Sequence, residues 1–167
     1  MSEMLPISRR KFLSLSPLLI GVPLVASAPL WQGHSEGLNH LDKYRESVVR
    51  GLVMGILEED LSQWKVSLNE IVLAWDKVVD LIPQAKREEL TLILSLLSYA
   101  PSCYFLTGSL SPWKDSVAVK RIIKKWQLGK IEIDRVLYGA FCEITYAALY
   151  QDPRAGAFTG YPGPPEI

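Results

Sequence analysis

The chain has 167 residues, 49% of them hydrophobic, with 18 Lys and Arg set against 18 Asp and Glu. Length and apolar content suit one domain with a core of its own, and nothing in the balanced charge calls for nucleic acid or an anionic membrane surface as partner. The two cysteines, Cys103 and Cys142, lack metal-ligand spacing, and no CxxCH haem-attachment sequence occurs.

The first segment, 1–28, has the layout of an export signal. Arg9, Arg10 and Lys11 form a cationic start. Phe12 to Val25 form an apolar run diluted by Ser14, Ser16, Pro17, Gly21 and Pro23, and Ala26-Ser27-Ala28 forms a small-residue exit. The run is shorter and more broken than the roughly 20 apolar residues of a spanning helix. Ser8-Arg9-Arg10-x-Phe12-Leu13 resembles the twin-arginine (Tat) motif of bacteria, departing from it only at Ser14, where lysine is usual. That resemblance makes Ser8, Arg9, Arg10, Phe12 and Leu13 the residues a Tat translocase would read, and it implies a periplasmic destination. Pro29 opposes cleavage after Ala28. A retained segment would tether the protein to the inner membrane, and it is the only expected membrane contact. Loss of the segment would remove Glu3, Arg9, Arg10 and Lys11, leaving 15 basic and 17 acidic residues.

A linker over 29–37 precedes an all-α domain over 38–152, expected to be a small bundle of about five helices. Leu38, Leu41, Tyr44, Val48, Leu52 and Ile56 recur at steps of three and four, which predicts a first helix from Leu38 to Leu57. Gly51 and Gly55 are unfavourable in a helix, but four apart they share a face and let another helix approach closely. A second helix is expected over 68–82, with Ile71, Trp75, Val78, Val79 and Ile82 inward. Pro83 ends it and suits the first position of a third helix. That helix starts charged and is apolar nearly all round from Leu90 to Leu97, as for a segment inside a bundle or beneath a partner. Pro101 stops it. Ser111-Pro112 reads as cap and first residue of a fourth helix, which carries Val117, Ile122, Ile123 and Trp126 and ends at Gly129. A last helix runs from about Glu132 to Tyr150, with Val136, Leu137, Ala140, Phe141, Ile144, Ala147 and Ala148 as its inner stripe. No strand or hairpin pattern appears.

The segment 153–167 contains RAGAFTGYPGPPEI. Its prolines and glycines exclude a helix. Composition alone favours disorder, yet Phe158 and Tyr161 are large apolar side chains, and a proline-stiffened segment loses less entropy on docking.

Residues suited to catalysis do not assemble into a set. His34 and His40 lie in or beside the linker without nearby acidic partners and read as exposed. Glu58-Glu59-Asp60 reads as a solvated turn at a helix end, lacking the alternating ligands and glycine of a calcium loop. Asp134 and Glu143 read as surface charges. Cys103 has no histidine placed to activate it, and G-x-S-x-G and Gly-rich phosphate loops are missing. An oxidising compartment permits a bond between Cys103 and Cys142; free cysteine also packs as a small hydrophobe, and both states stay open with free thiols preferred. Trp64, Trp75, Trp113 and Trp126 are spread over the domain and Trp31 lies in the linker; core packing explains most, and some can anchor a partner.

The order of features also carries a family resemblance. A Tat-like signal precedes a helical domain with Pro83-x-x-x-Arg87-Glu88-Glu89-Leu90 ahead of a leucine-rich helix. Leu106-Thr107-Gly108 and Ser111-Pro112-Trp113 follow. Next come a helix ending at Trp126, a Tyr- and Ala-rich helix, and AFTGYPGPP. This resembles the third, or gamma, subunits of gluconate 2-dehydrogenase and the small subunits of sorbitol and glucose dehydrogenases. Their large partners are flavoproteins of the glucose–methanol–choline oxidoreductase family. The resemblance implies a non-catalytic chain with no catalytic, cofactor or metal residues, and FAD in the partner. It implies as partners the Tat translocase and a flavoprotein large subunit, with room for a cytochrome subunit. Tat moves folded proteins with cofactors in place, so a signal-bearing small subunit can carry a flavoprotein out as passenger. Phe158, Gly160, Tyr161, Pro162, Gly163, Pro164 and Pro165 are then the expected clasp on that partner. Two other classes stay open: a stand-alone exported binding protein holding an apolar ligand near Leu90 to Leu97, and a small enzyme.

Overall fold

A computed structural model of the chain describes residues 37–99, 103–104, 107–152 and 154, without the side chains of 58–60 and 62–64. The chain divides into Met1–Leu30 and Trp31–Ile167, and every described residue belongs to the second unit. The Tat-like residues Ser8 to Leu13, His34 and the tail residues Phe158 to Pro165 lie outside the described set.

Among the described residues the architecture is all-α: α1 (Lys43–Trp64), α2 (Leu68–Leu81), α3 (Gln84–Ser98), a single 3-10 turn (Pro112–Lys114), α4 (Ser116–Leu128) and α5 (Glu132–Leu149). The central helix is α1, which packs against the other four and against the 3-10 turn, while α2 packs on α5 and α5 on α4. Val48, Val49, Leu52, Val53 and Leu57 of α1 are all at most 1% exposed. At 100° per residue these positions, with Gly51 and Gly55, cover about two-thirds of the helix circumference.

Several boundaries differ from the periodicity. The first helix begins at Lys43, because the Asp42 side chain accepts from Tyr44 N and Arg45 N, both at 2.9 Å, and caps it. Leu38 and Leu41 are buried from a non-helical entry segment that merely extends the apolar spacing. The helix runs on to Trp64 through a non-helical Leu57 (φ −108°, ψ 17°), so the Glu58-Glu59-Asp60 run lies within it rather than in a turn at its end. Lys65, at φ 52°, closes it in the left-handed region. Ser67 and Glu70 then form a reciprocal capping box that starts α2. Pro83 stands one place before α3, its carbonyl accepting from Lys86 N and Arg87 N at 2.9 and 3.0 Å. Ser111-Pro112 opens only the 3-10 turn, and Ser111 makes no side-chain cap; α4 starts later, capped by Asp115.

The inward faces also shift. Val117 sits at 61% exposure on the side of α4 opposite Val119, Ile122, Ile123 and Trp126, and Tyr44 lies beyond the core edge at 47%. On α5 the buried positions are Asp134, Leu137, Phe141, Thr145, Ala148 and Leu149, whereas Ala147 is exposed. Two polar side chains occupy the true stripe, which is why apolar spacing alone picks the wrong neighbours. The third helix is not enclosed: Leu90, Leu94 and Leu97 face inward, while Leu92 is exposed.

Among the described residues Trp75, Trp126 and Phe141 are the largest fully buried side chains, and Trp126 stacks on Phe141 at 6.1 Å between centroids. Trp113 is also buried, and its indole N–H donates to Leu97 O at 2.8 Å. That carbonyl belongs to the last turn of α3, and the residue four places on, Pro101, has no N–H to offer it. The indole supplies the missing donor.

The glycines of α1 make this packing possible. A Cβ at Gly51 would lie 2.9 Å from Trp113 O and 3.2 Å from its Cα. A Cβ at Gly55 would lie 2.6 Å from Val119 Cγ1 and 3.0 Å from Ile123 Cγ1. Each glycine costs about 1 kcal/mol of helix propensity, less than the burial of Trp113, Val119 or Ile123 returns at about 1.5–3 kcal/mol each. Gly139 of α5 has no atom within 4 Å of a built Cβ. We therefore expect Gly51→Ala and Gly55→Ala each to destabilise by about 1–2 kcal/mol as overpacking exceeds the propensity gain, and Gly139→Ala to stabilise by about 0.5–1 kcal/mol. Urea unfolding of the purified variants checks this; stabilisation by all three would contradict the close approach.

Candidate interaction surface

Arg154 is the described residue nearest the tail, and it is tied down. Its Nε donates to Asp152 Oδ1 and Oδ2 at 2.9 and 3.1 Å, and its Nη2 to Asp152 Oδ2 at 2.6 Å. Nη2 also reaches Glu70 Oε1 at 3.0 Å, and Nη1 reaches Lys65 O at 3.1 Å. One planar fork thus joins the end of the domain to the α1–α2 corner and satisfies a carbonyl left open where α1 terminates. The Arg154 fork holds the Asp152 carboxyl below its ordinary range. Hydrogen bonds from the Ser67 backbone and hydroxyl, and then from Arg154, do the same for Glu70. Asp152 and Glu70 in turn raise the Arg154 pKa. Nothing in the apolar periodicity marks Arg154; the only signal was its place just after Asp152-Pro153.

The other end of the domain is pinned as well. Asp76, 3% exposed in the middle of α2, accepts from Asn39 N at 2.7 Å and His40 N at 3.0 Å. His40 Nε2 lies 2.6 Å from Asp80 Oδ1, and this bond holds Asp80 below the usual carboxylate range. Arg87 donates to Asp80 O and Ile82 O at 2.9 and 3.2 Å, closing the end of α2. The expectation of His40 as an exposed residue without an acidic partner is therefore corrected. The partner lies forty residues away along the chain, where local sequence cannot reveal it. Asp134, read as a surface charge, is likewise buried, at 8% exposure.

Both described cysteines are free, Cys103 buried and Cys142 half-buried. Burial pushes both thiols up, against hydrogen bonds from Thr107 and Trp113 at Cys103 and from Tyr138 at Cys142. A raised pKa keeps each as a thiol, the form that is a poor nucleophile and ligand. Tyr138 is pushed up to about 12 by burial first and then by Cys142. Among the described residues no group of three His, Cys, Asp or Glu could hold a metal, and no helix is long and apolar enough to cross a membrane.

Met54, Gly55, Leu61, Ser116, Val119 and Lys120 line a groove of about 100 Å³ between α1 and α4. Drug-sized ligands occupy roughly 300–1,000 Å³, so this groove suits a side chain rather than a small molecule. The described body thus offers anchored domain ends and exposed apolar positions. The chain matches no protein-family model, no curated protein and no solved structure.

The clamp has a pH signature. A carboxyl whose pKa is lower in the folded than in the unfolded chain adds stability that is complete above its unfolded value and is lost as the pH falls through the folded one. The ordinary values are 3.8 for Asp152 and 4.5 for Glu70. The melting-temperature difference between wild type and Arg154→Ala should be largest above about pH 5 and narrow toward about pH 3. Thermal melts across that range test this, and a pH-independent difference would contradict the clamp.

Proposed function

We propose that this chain is a non-catalytic small subunit that carries a Tat signal and escorts a glucose–methanol–choline-type flavoprotein into the periplasm. The observation that carries the reading is one sequence holding both Ser8-Arg9-Arg10-x-Phe12-Leu13 and Gly160-Tyr161-Pro162-Gly163-Pro164-Pro165, on either side of a helical body. FAD belongs to the partner, which binds it in the cytoplasm before export. The tail acts as the clasp, with Phe158 and Tyr161 as apolar anchors and the prolines limiting the entropy lost on docking.

The geometry supports this division of labour. Arg154, next to the tail in sequence, is bonded to Lys65 and Glu70, which fastens that end of the described domain to the α1–α2 corner. Asp76 and Asp80 do the same for the entry segment.

The direct test is replacement of the arginine pair. With Arg9→Lys and Arg10→Lys together, fractionation should find both this chain and its flavoprotein in the cytoplasm, where the wild type places both in the periplasm. Export of the flavoprotein unaffected by the substitutions would refute the escort role.

A further inference from the structure

The two ends of the described domain are fastened to one face of one helix. Taking Leu73 as the reference at 100° per residue, Glu70, Leu73, Lys77, Asp80 and Leu81 fall within an arc of about 100°. Glu70 holds Arg154, at the root of the tail. Asp80 holds His40, in the entry segment. The two anchors stand about 15 Å apart along the axis, and between and beside them run Leu73 and Leu81, exposed at 43% and 77%. Leu73 and Leu81, eight residues apart on this outer face, are not part of the buried core of the described body. The inner face of α2 is already complete, with Ile71, Val72, Trp75, Val78 and Val79 buried.

The charges sharpen the pattern. Glu70 pairs with Arg154, which Asp152 shares, and Asp80 is bonded to His40. Lys77, exposed between the two leucines, forms no ion pair among the described residues. The stripe is therefore two apolar side chains flanking a lysine with no ion-pair partner among the described residues, with Glu70 bonded to Arg154 near one end and Asp80 to His40 near the other.

We infer that this outer stripe of α2, Leu73–Lys77–Leu81, is where the body of the subunit meets its large partner. The inference rests on the tail-clasp reading above and adds the surface to it. The segment Ala155–Ile167 starts at the Arg154 anchor and has 13 residues, a reach of about 40 Å when extended. The whole of α2 spans only about 20 Å. A partner gripped by that tail is held within reach of this stripe. The surface that fits it is an apolar patch carrying a carboxylate opposite Lys77.

The test replaces both leucines by lysine, a good helix former that also suits the last turn of α2. The full chain is co-expressed with the flavoprotein, and complex is measured by co-purification. Wild type should hold the flavoprotein, and Leu73→Lys with Leu81→Lys should reduce recovery by about tenfold or more with an unchanged melting temperature for the lone subunit. Val117→Lys with Leu128→Lys, exposed at 61% and 68% on α4, should leave recovery unchanged. Full retention by the α2 variant, or equal loss with the α4 control, overturns the stripe and leaves the escort reading standing. Failure of wild type to hold any flavoprotein overturns both. If the lone wild type is a dimer that the α2 substitutions split, a second copy covers the face and the inference falls. It falls equally if deleting Ala155–Ile167 raises hydrogen exchange in α2 of the lone subunit, since the tail itself would then be the occupant.

Discussion

The fold depends on the absence of two Cβ atoms. At Gly51 and Gly55 the backbone of α1 comes so near to the 3-10 turn and to α4 that even a methyl group would meet Trp113 O at 2.9 Å or Val119 Cγ1 at 2.6 Å. Through that seam Trp113 enters the core and places its indole N–H on Leu97 O, fixing the end of α3. Val119 and Ile123 enter at the same seam and bring with them Trp126, which stacks on Phe141 of α5. A helix able to contact every other element needs somewhere to let them close, and α1 achieves it with glycine despite the loss in helix propensity. Packing at this distance is unforgiving, because interiors are filled to crystalline density.

Polar interactions in the body do a different job. Some tie helix to helix, as Arg45 to Ser95 and Arg50 to Asn69 do, and others hold the two ends of the described domain. Asp76 is a carboxylate buried in the middle of an apolar helix, a costly position unless it is satisfied, and two backbone N–H groups of the entry segment satisfy it. His40–Asp80 and Arg154–Glu70 repeat the arrangement nearer the surface. Exposed ion pairs contribute little to stability, so their positions carry more meaning than their strength. Both lie on α2, and both fasten a segment that leads to sequence with a proposed role outside the body.

Much of this was legible in the sequence, and the failures have particular causes. The helical class, the span of α2 and the meaning of Gly51 and Gly55 follow from spacing and from the conformational penalty of glycine. Apolar spacing misled where polar residues occupy buried positions: Asp134 and Thr145 lie on the inner stripe of α5, and periodicity passed over them for Ala147. It misled again at α1, where Leu38 and Leu41 keep helical spacing in an entry segment that Asp42 cuts off from the helix. The anchors were invisible for another reason. His40–Asp80 and Arg154–Glu70 join positions 40 and 84 residues apart, and no local pattern records such a pairing. The Tat-like motif and the GYPGPP tail are read from sequence alone and lie outside the described residues.

The central claim is that this chain works by holding a flavoprotein, with the chemistry in the other chain. The most direct measurement is the visible absorbance spectrum of whatever co-purifies with the tagged protein from native periplasmic and membrane fractions. The account predicts a yellow complex with flavin absorbance and a second, larger chain. A colourless eluate containing this chain alone would contradict it.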